Sequence, residues 1–546
     1  MEKKKFLVLR NYTIEPIFNE IKNKFHFKNY HLNFKFSGYD SVLADLLKIK
    51  ENNFKKYDGV LIFLSPESLL KKNSNDLTNK YIELATEITD FLFNKNIKNV
   101  FFFYFNSQNF LNLNISDKHL FKLNKFYLNL KKKNISTINL SEELKLFTNT
   151  NNYYDKKFWQ HAMFPFNGNG LKIISNIIYL KIKNIIGLSY KTIILDADNT
   201  LWNGIIDEVG VKKINFLNKK KNINYLTFHK NLKLLKNSGF LLCLCSKNNI
   251  SNIKKTFLFH KKKMGIRLSD FIIVKSNWEP KIKNIKEIHK ELNLSIDNSI
   301  FLDDSIFEIE SVNSLMPSLD TINVLEFENF SANIYKLINH ISNKSKNTKE
   351  DKNRIKLYNE EFKRNKEKVK FNNFEDYIKS LKIKLNIKKN SKKDLQRLSQ
   401  LTLRTNQFNS NNTRLGINDV KKLFKEKKFI IYQCSAHDKY GDYGVIGLSI
   451  LKLEEHTAKM ISFIMSCRAL GREIEKYFFN FIRLELKKKY SQIKILYKKT
   501  SKNKLVETFF NKNCKKIKLS NQKIYYIIKT NFKDNNKKLI KIINEK

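Results

Sequence analysis

Six residues with side chains suited to phosphoryl chemistry lie at, or within a few residues after, the ends of apolar, β-rich runs in the middle of the chain. They are Asp196 and Asp198 after TIIL, Ser246 at the end of FLLCLCS, Lys281 in SNWEPKIKNI after FIIVK, and Asp303 and Asp304 at the end of SIFLDD. The carboxyl ends of parallel strands meet along one crevice, so we expect these side chains to lie close together. Two carboxylates spaced i, i+2 repel each other unless a cation is near. The pattern therefore predicts a site for a metal ion and a phosphorylated substrate.

The residue types indicate how such a site would work. Carboxylates are hard oxygen ligands suited to Mg²⁺, and we predict that this ion is held by Asp196, Asp198, Asp303 and Asp304. We predict that Asp196 attacks phosphorus to form an aspartyl-phosphate, while Asp198 protonates the leaving oxygen and later deprotonates water. The ion and Lys281 would neutralise the transferring group, and the hydroxyl of the strand-end serine would donate a hydrogen bond to a phosphoryl oxygen.

The surrounding sequence predicts an α/β protein of about three domains. Residues 1–187 alternate short apolar runs with helix-like stretches, and residues 188–342 repeat this alternation more sharply, which is typical of parallel α/β layers. Residues 343–372 are nearly all charged or polar and predict an exposed connecting helix. Residues 373–546 combine strands with long helices in an α+β pattern. The 546 residues, 42% of them hydrophobic, are enough for several cores.

The formal net charge of +51 does not by itself indicate a nucleic-acid-binding protein. Only ten of the 103 basic residues are arginine, and the lysines are spread along the whole chain, as expected from an AT-rich coding background. Nucleic-acid association is the less favoured alternative, because no basic stripe is interleaved with aromatic residues. The five cysteines lack metal-site spacing, and the sequence shows no signal peptide or membrane span. We expect a cytoplasmic protein with free thiols.

Together the four motifs resemble those of the haloacid dehalogenase (HAD) superfamily, and an aspartate at position 198 is typical of its phosphatase and phosphotransferase branches. The phrases DADNTLWNGIIDEVG, CSKNN, NWEPKIKNI and FLDDSIFEIESVNSLMP resemble subfamily IIIC, the FkbH-like proteins. Three later stretches are similar to the C-terminal region of that family, which looks like an acyltransferase of the GNAT class: LTLRTNQFN (401–409), DKYGDYGVIGLSIL (438–451) and MSCRALGREIE (465–475).

This resemblance implies a central HAD-like Rossmannoid parallel sheet at 188–342, which the short gaps between motifs leave without a large cap domain. It implies a flavodoxin-like or SGNH-hydrolase-like α/β domain at 1–187 and an α+β GNAT-like domain at 373–546. The first strand ends in LRNYT without the Gly-Asp-Ser of SGNH hydrolases, so we expect a non-catalytic scaffold. Thr13 and His161 are the nucleophile and the base that an active hydrolase would use.

In GNAT-like folds the loop between a strand and the next helix binds the pyrophosphate of coenzyme A or a phosphopantetheine arm. In CRALGR this role would fall to Arg468, Gly471 and Arg472. Cys467 is a candidate to hold an acyl group as a thioester, and the alternative is a small buried thiol without a catalytic role.

For FkbH-like proteins the resemblance implies capture of 1,3-bisphosphoglycerate and loading of its glyceryl unit, with loss of phosphate, as a thioester on an acyl carrier protein. We therefore expect an Mg²⁺-dependent enzyme that dephosphorylates a small phosphorylated acyl donor and transfers the acyl unit to a carrier's phosphopantetheine arm or a related acceptor. Carrier proteins are acidic, so a lysine-rich surface would speed their encounter with this chain. The alternative is a plain HAD phosphatase whose flanking domains only bind substrate.

Overall fold

Three main β-sheets flanked by helices organise the chain in the computed structural model. The structure describes residues 1–49, 54, 56–69, 77–97, 99–105, 117–133, 135–144, 153–188, 190–219, 223–325, 330–331, 333–334, 353–455, 457–500, 502–518, 524–531 and 539–544. Two sheets are parallel and one is mixed, which confirms the predicted α/β class. Within the described ranges no helix has the length and apolar character needed to cross a bilayer. The domain boundaries drawn from the sequence stay predictions.

The N-terminal sheet is built from β1 (Glu2–Arg10), α1 (Glu15–His26), β2 (Tyr30–Phe36), α2 (Val42–Leu47), β3 (Gly59–Phe63), α3 (Leu77–Asn94), β4 (Val100–Tyr104), α4 (Asp117–Lys132), β5 (Ser136–Asn139), α5 (Leu140–Leu144), α6 (Lys156–Ala162) and α7 (Gly168–Ile185). Its five parallel strands lie in the flavodoxin-like order β2-β1-β3-β4-β5. The strands β3 and β4 are continuous apolar runs because helices cover both faces of the sheet.

The central sheet is built from β6 (Thr192–Leu195), α8 (Ile206–Val209), β7 (Leu217–Asn218), β8 (Ile223–Asn224), α9 (Tyr225–Asn237), β9 (Leu241–Ser246), α10 (Ile250–Phe259), β10 (Phe271–Ser276), α11 (Lys281–Leu292), β11 (Ser299–Asp303), α12 (Ile306–Leu315) and β12 (Asp320–Asn323). Its strands are parallel in the order β10-β9-β6-β11-β12, a Rossmann-like arrangement. Between β6 and α9 the described chain holds a one-turn helix and the β7–β8 ribbon, which do not amount to a large cap.

The C-terminal part is built from α13 (Arg354–Lys368), α14 (Phe374–Leu381), β13 (Lys384–Lys389), α15 (Leu395–Arg404), α16 (Ile417–Lys425), β14 (Phe429–Asp438), β15 (Gly441–Leu453), β16 (Ala458–Met465), α17 (Ile474–Leu486), β17 (Gln492–Tyr497), α18 (Lys504–Asn513), β18 (Lys515–Lys518), β19 (Ile524–Lys529) and β20 (Lys541–Asn544). The mixed sheet has the order β18-β19-β17-β16-β15-β14-β13-β20. The strands β16 and β17 run parallel and pair over only three residues each.

The connecting helix α13 differs from the exposed helix predicted for residues 343–372, of which 343–352 lie outside the described residues. Tyr358 on α13 is buried against the central sheet. Arg364 is also buried and donates two hydrogen bonds, of 2.7 and 2.9 Å, to the Asp438 carboxylate, which accepts a third from Tyr443. The polar composition of the helix did not reveal that one of its faces is buried. Charged side chains are buried there because they are paired inside the protein, as a bidentate arginine–carboxylate contact allows.

The N-terminal and central sheets share one continuous hydrophobic core, and a buried cluster of charges lies beside it. The Asp320 carboxylate on β12 forms ion pairs with Lys28, at 3.1 Å, and with Lys183. It also accepts hydrogen bonds from Tyr179 at 2.7 Å and Tyr190 at 2.6 Å. Although burial opposes ionisation, the two lysines hold the pKa of Asp320 well below its usual range. This carboxylate therefore links α7 and the end of α1 to the central sheet.

Replacing Asp320 tests how strongly this cluster holds the two sheets together. Asp320→Asn leaves two buried ammonium groups without a counter-charge, so we expect a loss of about 3–5 kcal/mol. Differential scanning calorimetry of the full chain would show it as a lower transition temperature. Glu279→Gln is the matched control, because Glu279 and Lys283 form an exposed pair and its removal should cost about 0.5 kcal/mol or less. Equal transition temperatures for the two variants would contradict the expectation.

Candidate active site

The strand order brings predicted site residues together at the carboxyl edge of the central sheet. Asp196 follows β6, Ser246 ends β9 and Asp303 ends β11, and β6 lies between the other two strands. The exposed fractions of these three residues are 5%, 1% and 0%. Lys281 is the first residue of α11, directly after Pro280, whose fixed φ suits the start of a helix. The chain thus delivers four functional groups to one buried point.

The Lys281 ammonium group lies between two of the carboxylates. Its Nζ is 2.9 Å from Asp196 Oδ1 and 2.6 Å from Asp303 Oδ2. Burial alone would lower the pKa of Lys281, but the charges of these two aspartates raise it above its ordinary value. Lys281 is therefore fully charged at neutral pH and can neutralise a transferring phosphoryl group.

Asp304 completes an acidic group with Asp196 and Asp303, in which the nearest carboxylate oxygens of the three residues lie within 4.8 Å of one another. Burial and the charge of Asp196 raise the pKa of Asp304 to about 6, and they raise the pKa of Asp303 as well. One ammonium group does not balance three carboxylates, so the group lacks positive charge. Three hard oxygen donors at this spacing fit a divalent cation such as Mg²⁺.

Asp198 does not belong to this group, although the sequence predicted its carboxylate as a fourth ligand. Its Oδ1 accepts a hydrogen bond of 2.9 Å from Trp202 Nε1, and its Oδ2 accepts one of 2.9 Å from Asn248 Nδ2. Both oxygens therefore accept hydrogen bonds from neighbouring side chains, and neither belongs to the acidic group. Burial raises the pKa of Asp198, which favours a carboxyl group that can deliver a proton. The acid–base role of Asp198 stays a prediction, and its carboxylate is not part of the group that could hold the ion.

Asn248 and Trp202 are the positioning residues that the sequence reasoning missed. Asn248 is buried and also donates a 3.1 Å hydrogen bond to Ser246 Oγ, so one amide orients both the predicted acid and the predicted phosphate-binding hydroxyl. Trp202 is fully buried and fixes Asp198 from the other side. The available signals were the CSKNN stretch and the scarcity of tryptophan, of which the chain has three.

Cys467 lies at the opposite edge of the central sheet from this site. It begins a short 3-10 turn, Cys467–Ala469, and lines a cavity with Lys191 and Asn298. These two residues directly precede β6 and β11, whereas Asp196 and Asp303 follow or end the same strands. Five residues of extended chain span about 16 Å. The predicted acyl-carrying thiol and the predicted nucleophilic aspartate therefore occupy separate sites.

The predicted phosphate-binding loop is also built differently from expectation. Arg472 is buried, donates a 2.8 Å hydrogen bond to the Arg468 carbonyl oxygen and forms an ion pair with Glu361 on α13. Its guanidinium group thus ties the loop to the connecting helix, so the geometry does not support phosphate binding by this side chain. Gly471 has φ +78°, a left-handed conformation that glycine adopts without strain. Arg468 points into the cavity that contains Cys467.

A segment of the chain fills the gap where β16 and β17 diverge. The Met465 N–H donates to the Phe408 carbonyl oxygen at 3.0 Å, and the Ser410 N–H donates to the Phe463 carbonyl oxygen at 3.0 Å. On the side of β17, the N–H of Lys498, which follows this strand, donates to the Ser410 carbonyl oxygen at 2.8 Å. A ligand cannot pair with these backbone groups, because the protein already uses them.

In the N-terminal domain the two candidate hydrolase residues are Thr13 and His161. The Thr13 hydroxyl donates a 2.5 Å hydrogen bond to the Ala162 carbonyl oxygen and lies 3.1 Å from the Tyr39 hydroxyl. His161 is exposed on α6. The threonine hydroxyl thus links the segment between β1 and α1 to α6, and the non-catalytic scaffold stays the preferred prediction.

Comparisons with known proteins found similarity to this chain only among solved structures. No protein-family model matches the chain, and none of the curated proteins matches it. The N-terminal part of the Bacteroides fragilis protein BF1531, containing a phosphatase domain complexed with Mg, is 24% identical, with 63% of this chain and 94% of that chain covered and a TM-score of 0.48. The Escherichia coli ribosomal-protein-S18-alanine N-acetyltransferase is 8% identical, with 28% and 97% covered and a TM-score of 0.21. A putative acetyltransferase of the GNAT family from Desulfovibrio desulfuricans is 10% identical, with 27% and 99% covered and a TM-score of 0.23.

Metal binding provides a direct test of the acidic group. Asp303→Asn removes one of its three charges, so we expect the affinity for Mg²⁺ to fall at least about tenfold. Isothermal titration calorimetry with the full chain measures this affinity without turnover. The matched control is Asp207→Asn, an exposed carboxylate on α8 that accepts a hydrogen bond from Asn252. Unchanged Mg²⁺ affinity in the Asp303 variant would exclude the site.

Proposed function

We propose that the chain is an Mg²⁺-dependent phosphoryl-transfer enzyme that acts on a small phosphorylated acyl donor such as 1,3-bisphosphoglycerate. We include in this proposal the transfer of the acyl unit, through Cys467, to the phosphopantetheine arm of an acyl carrier protein. One observation carries the phosphoryl part: Lys281 lies between Asp196 and Asp303 in a buried group of three carboxylates. The acyl part is supported by the resemblance of the C-terminal motifs and by a half-buried thiol that lines a cavity.

At the carboxyl edge, Asp196 forms a bond to phosphorus while the bond from phosphorus to the substrate oxygen breaks. Asp198, held by Trp202 and Asn248, gives its proton to that oxygen. Water then attacks the aspartyl-phosphate as Asp198 takes the water's proton, and inorganic phosphate leaves. Lys281 offsets the negative charge throughout, and bound Mg²⁺ would add further charge neutralisation at the phosphoryl oxygens.

At the amino edge, the Cys467 sulfur attacks the carbonyl carbon of an acyl phosphate, and the bond from that carbon to the phosphate oxygen breaks. The carrier thiol then displaces Cys467 from the thioester. The two edges would thus treat the two phosphates of one donor differently. Asp196 would remove the phosphomonoester, and Cys467 would displace the acyl phosphate.

The plain phosphatase is the second candidate, and the distance between the two edges favours it. Because Asp196 and Cys467 lie on opposite edges of the central sheet, phosphate removal needs nothing from the thiol. The flanking domains would then serve only to bind or orient substrate.

The phosphoryl reaction is tested by release of the phosphomonoester phosphate of 1,3-bisphosphoglycerate, without a carrier protein and with saturating Mg²⁺. We expect Asp196→Asn to lower release on the order of 10³-fold or more, because it removes the nucleophile. Asp198→Asn removes the proton donor and should lower release by about 10²–10⁴-fold. Asp207→Asn should release phosphate at the rate of the unaltered chain, since this exposed carboxylate lies outside the group. Absence of release by the unaltered chain would end this proposal.

The Cys467→Ala variant separates the two candidate functions. Phosphate release from a simple phosphomonoester should persist, because that reaction takes place at the other edge of the sheet. Formation of an acyl thioester on a carrier protein, followed by intact-protein mass spectrometry, should be lost if the thiol carries the acyl unit. Cys514→Ala is the matched control, since Cys514 is also a half-buried free thiol but does not line the cavity. Thioester formation that survives in Cys467→Ala would remove Cys467 from the mechanism.

A further inference from the structure

A cavity of about 210 Å³ lies where the central sheet, the connecting helix α13 and the C-terminal domain meet. Its floor is the amino edge of the central sheet, with Lys191 before β6 and Asn298 before β11. Helix α13 contributes Arg354 and Tyr358 to the wall. The C-terminal domain contributes residues of α15 and the turn that begins at Cys467. The cavity therefore exists only when these three parts of the chain are assembled.

The side chains around this cavity are strongly cationic. Among the described residues that line it there is no acidic side chain, whereas six are basic: Lys191, Arg354, Arg397, Arg404, Arg468 and Lys502. Lys502 forms an ion pair with Asp297, which is outside the lining. Arginine is rare in this chain, with ten copies in 546 residues, and four of them meet here. An even background of lysine does not explain such a cluster.

The basic groups lie close enough to influence one another. Burial and the charges of three arginines, Arg354, Arg404 and Arg397, together lower the pKa of Lys191 to about 8, against the opposing effect of Cys467. Like charges that face a small, partly closed space repel one another, and an anion bound among them removes this repulsion. Guanidinium groups can match phosphate oxygens with paired N–H donors. Arg354 already donates to the Gly239 carbonyl oxygen, and Arg397 donates to the Val445 carbonyl oxygen and to Gln400 Oε1.

We propose that this cavity is a second anion-binding site, which takes a phosphate-bearing small molecule with its reactive end at Cys467. The cavity is smaller than the ~300–1,000 Å³ typical of sites for drug-sized ligands. That space holds a phosphate group with a short carbon chain, and a longer molecule such as a phosphopantetheine arm would extend beyond it. A free phosphorylated acid and the phosphate end of a phosphopantetheine arm share this chemistry. The inference takes the acyl role of Cys467 from the proposed function, but the anion site stands on its own residues.

Alkylation of Cys467 tests the site without turnover, Mg²⁺ or a carrier protein. Iodoacetate is an anion and iodoacetamide is neutral, so their rate ratio at one thiol reports the local charge independently of how reactive the thiol is. Peptide mass spectrometry on the full chain gives this ratio for Cys467 and for Cys514 in the same sample. We expect the ratio of iodoacetate to iodoacetamide to be about tenfold higher at Cys467 than at Cys514.

Two ligand probes complete the experiment. Millimolar 3-phosphoglycerate and 4′-phosphopantetheine are added separately, and protection of Cys467 but not Cys514 by either one supports the site. The probe that protects at the lower concentration identifies the source of the phosphate. Equal rate ratios at the two cysteines, together with no protection by either probe, would overturn the proposal.

Charge variants show whether the cavity is responsible. Lys191→Gln and Arg468→Gln each remove one lining charge and should lower the rate ratio at Cys467 severalfold. Arg483→Gln is the matched control, because Arg483 lies on α17 outside the cavity and donates to Asn480 and to the Lys529 carbonyl oxygen. If Arg483→Gln lowers the rate ratio at Cys467 as much as the two cavity variants do, or if none of the three lowers it, the cavity does not attract anions. If the unaltered chain releases no phosphate while the probes still protect Cys467, the phosphoryl proposal is rejected and the anion site stands.

Discussion

The contact of the Lys281 ammonium group with Asp196 and Asp303 is the interaction around which the central sheet is organised. It joins the ends of two neighbouring parallel strands, β6 and β11, to the first turn of α11. Acidic side chains accumulate at such a point only if a cation reaches them, because burial strongly disfavours unbalanced charge. One lysine does not balance three carboxylates, and a divalent ion bound among them would offset this deficit.

The sequence predicted the central sheet, and four of the predicted site residues lie together at its carboxyl edge. Strand-end positions in a parallel sheet converge by geometry, so the positions of Asp196, Ser246, Lys281 and Asp303 followed from the order of apolar runs. The direction of the Asp198 carboxylate could not be predicted. It depends on Asn248, which reaches it from fifty residues further along the chain.

The cationic cavity was beyond sequence reasoning for a related reason. Its lining residues come from positions as far apart as 191 and 502, and no local pattern connects them. The buried face of α13 could not be predicted either. From the sequence, Arg364 is expected to be exposed, and it is buried because it pairs with Asp438, which lies far along the chain. Local periodicity predicts elements, whereas long-range charge pairing is decided by how those elements pack.

The hydrophobic core that continues from the N-terminal sheet into the central sheet bears on how this protein can be divided. Helix α7 belongs in sequence to the first domain, yet Tyr179 and Lys183 on it contact Asp320 of the central sheet. A fragment cut at residue 188 would expose the apolar surface that α7 covers and would leave the Asp320 carboxylate without these partners. Such a fragment is expected to aggregate. A fragment that keeps this contact intact must therefore include both α7 and the central sheet.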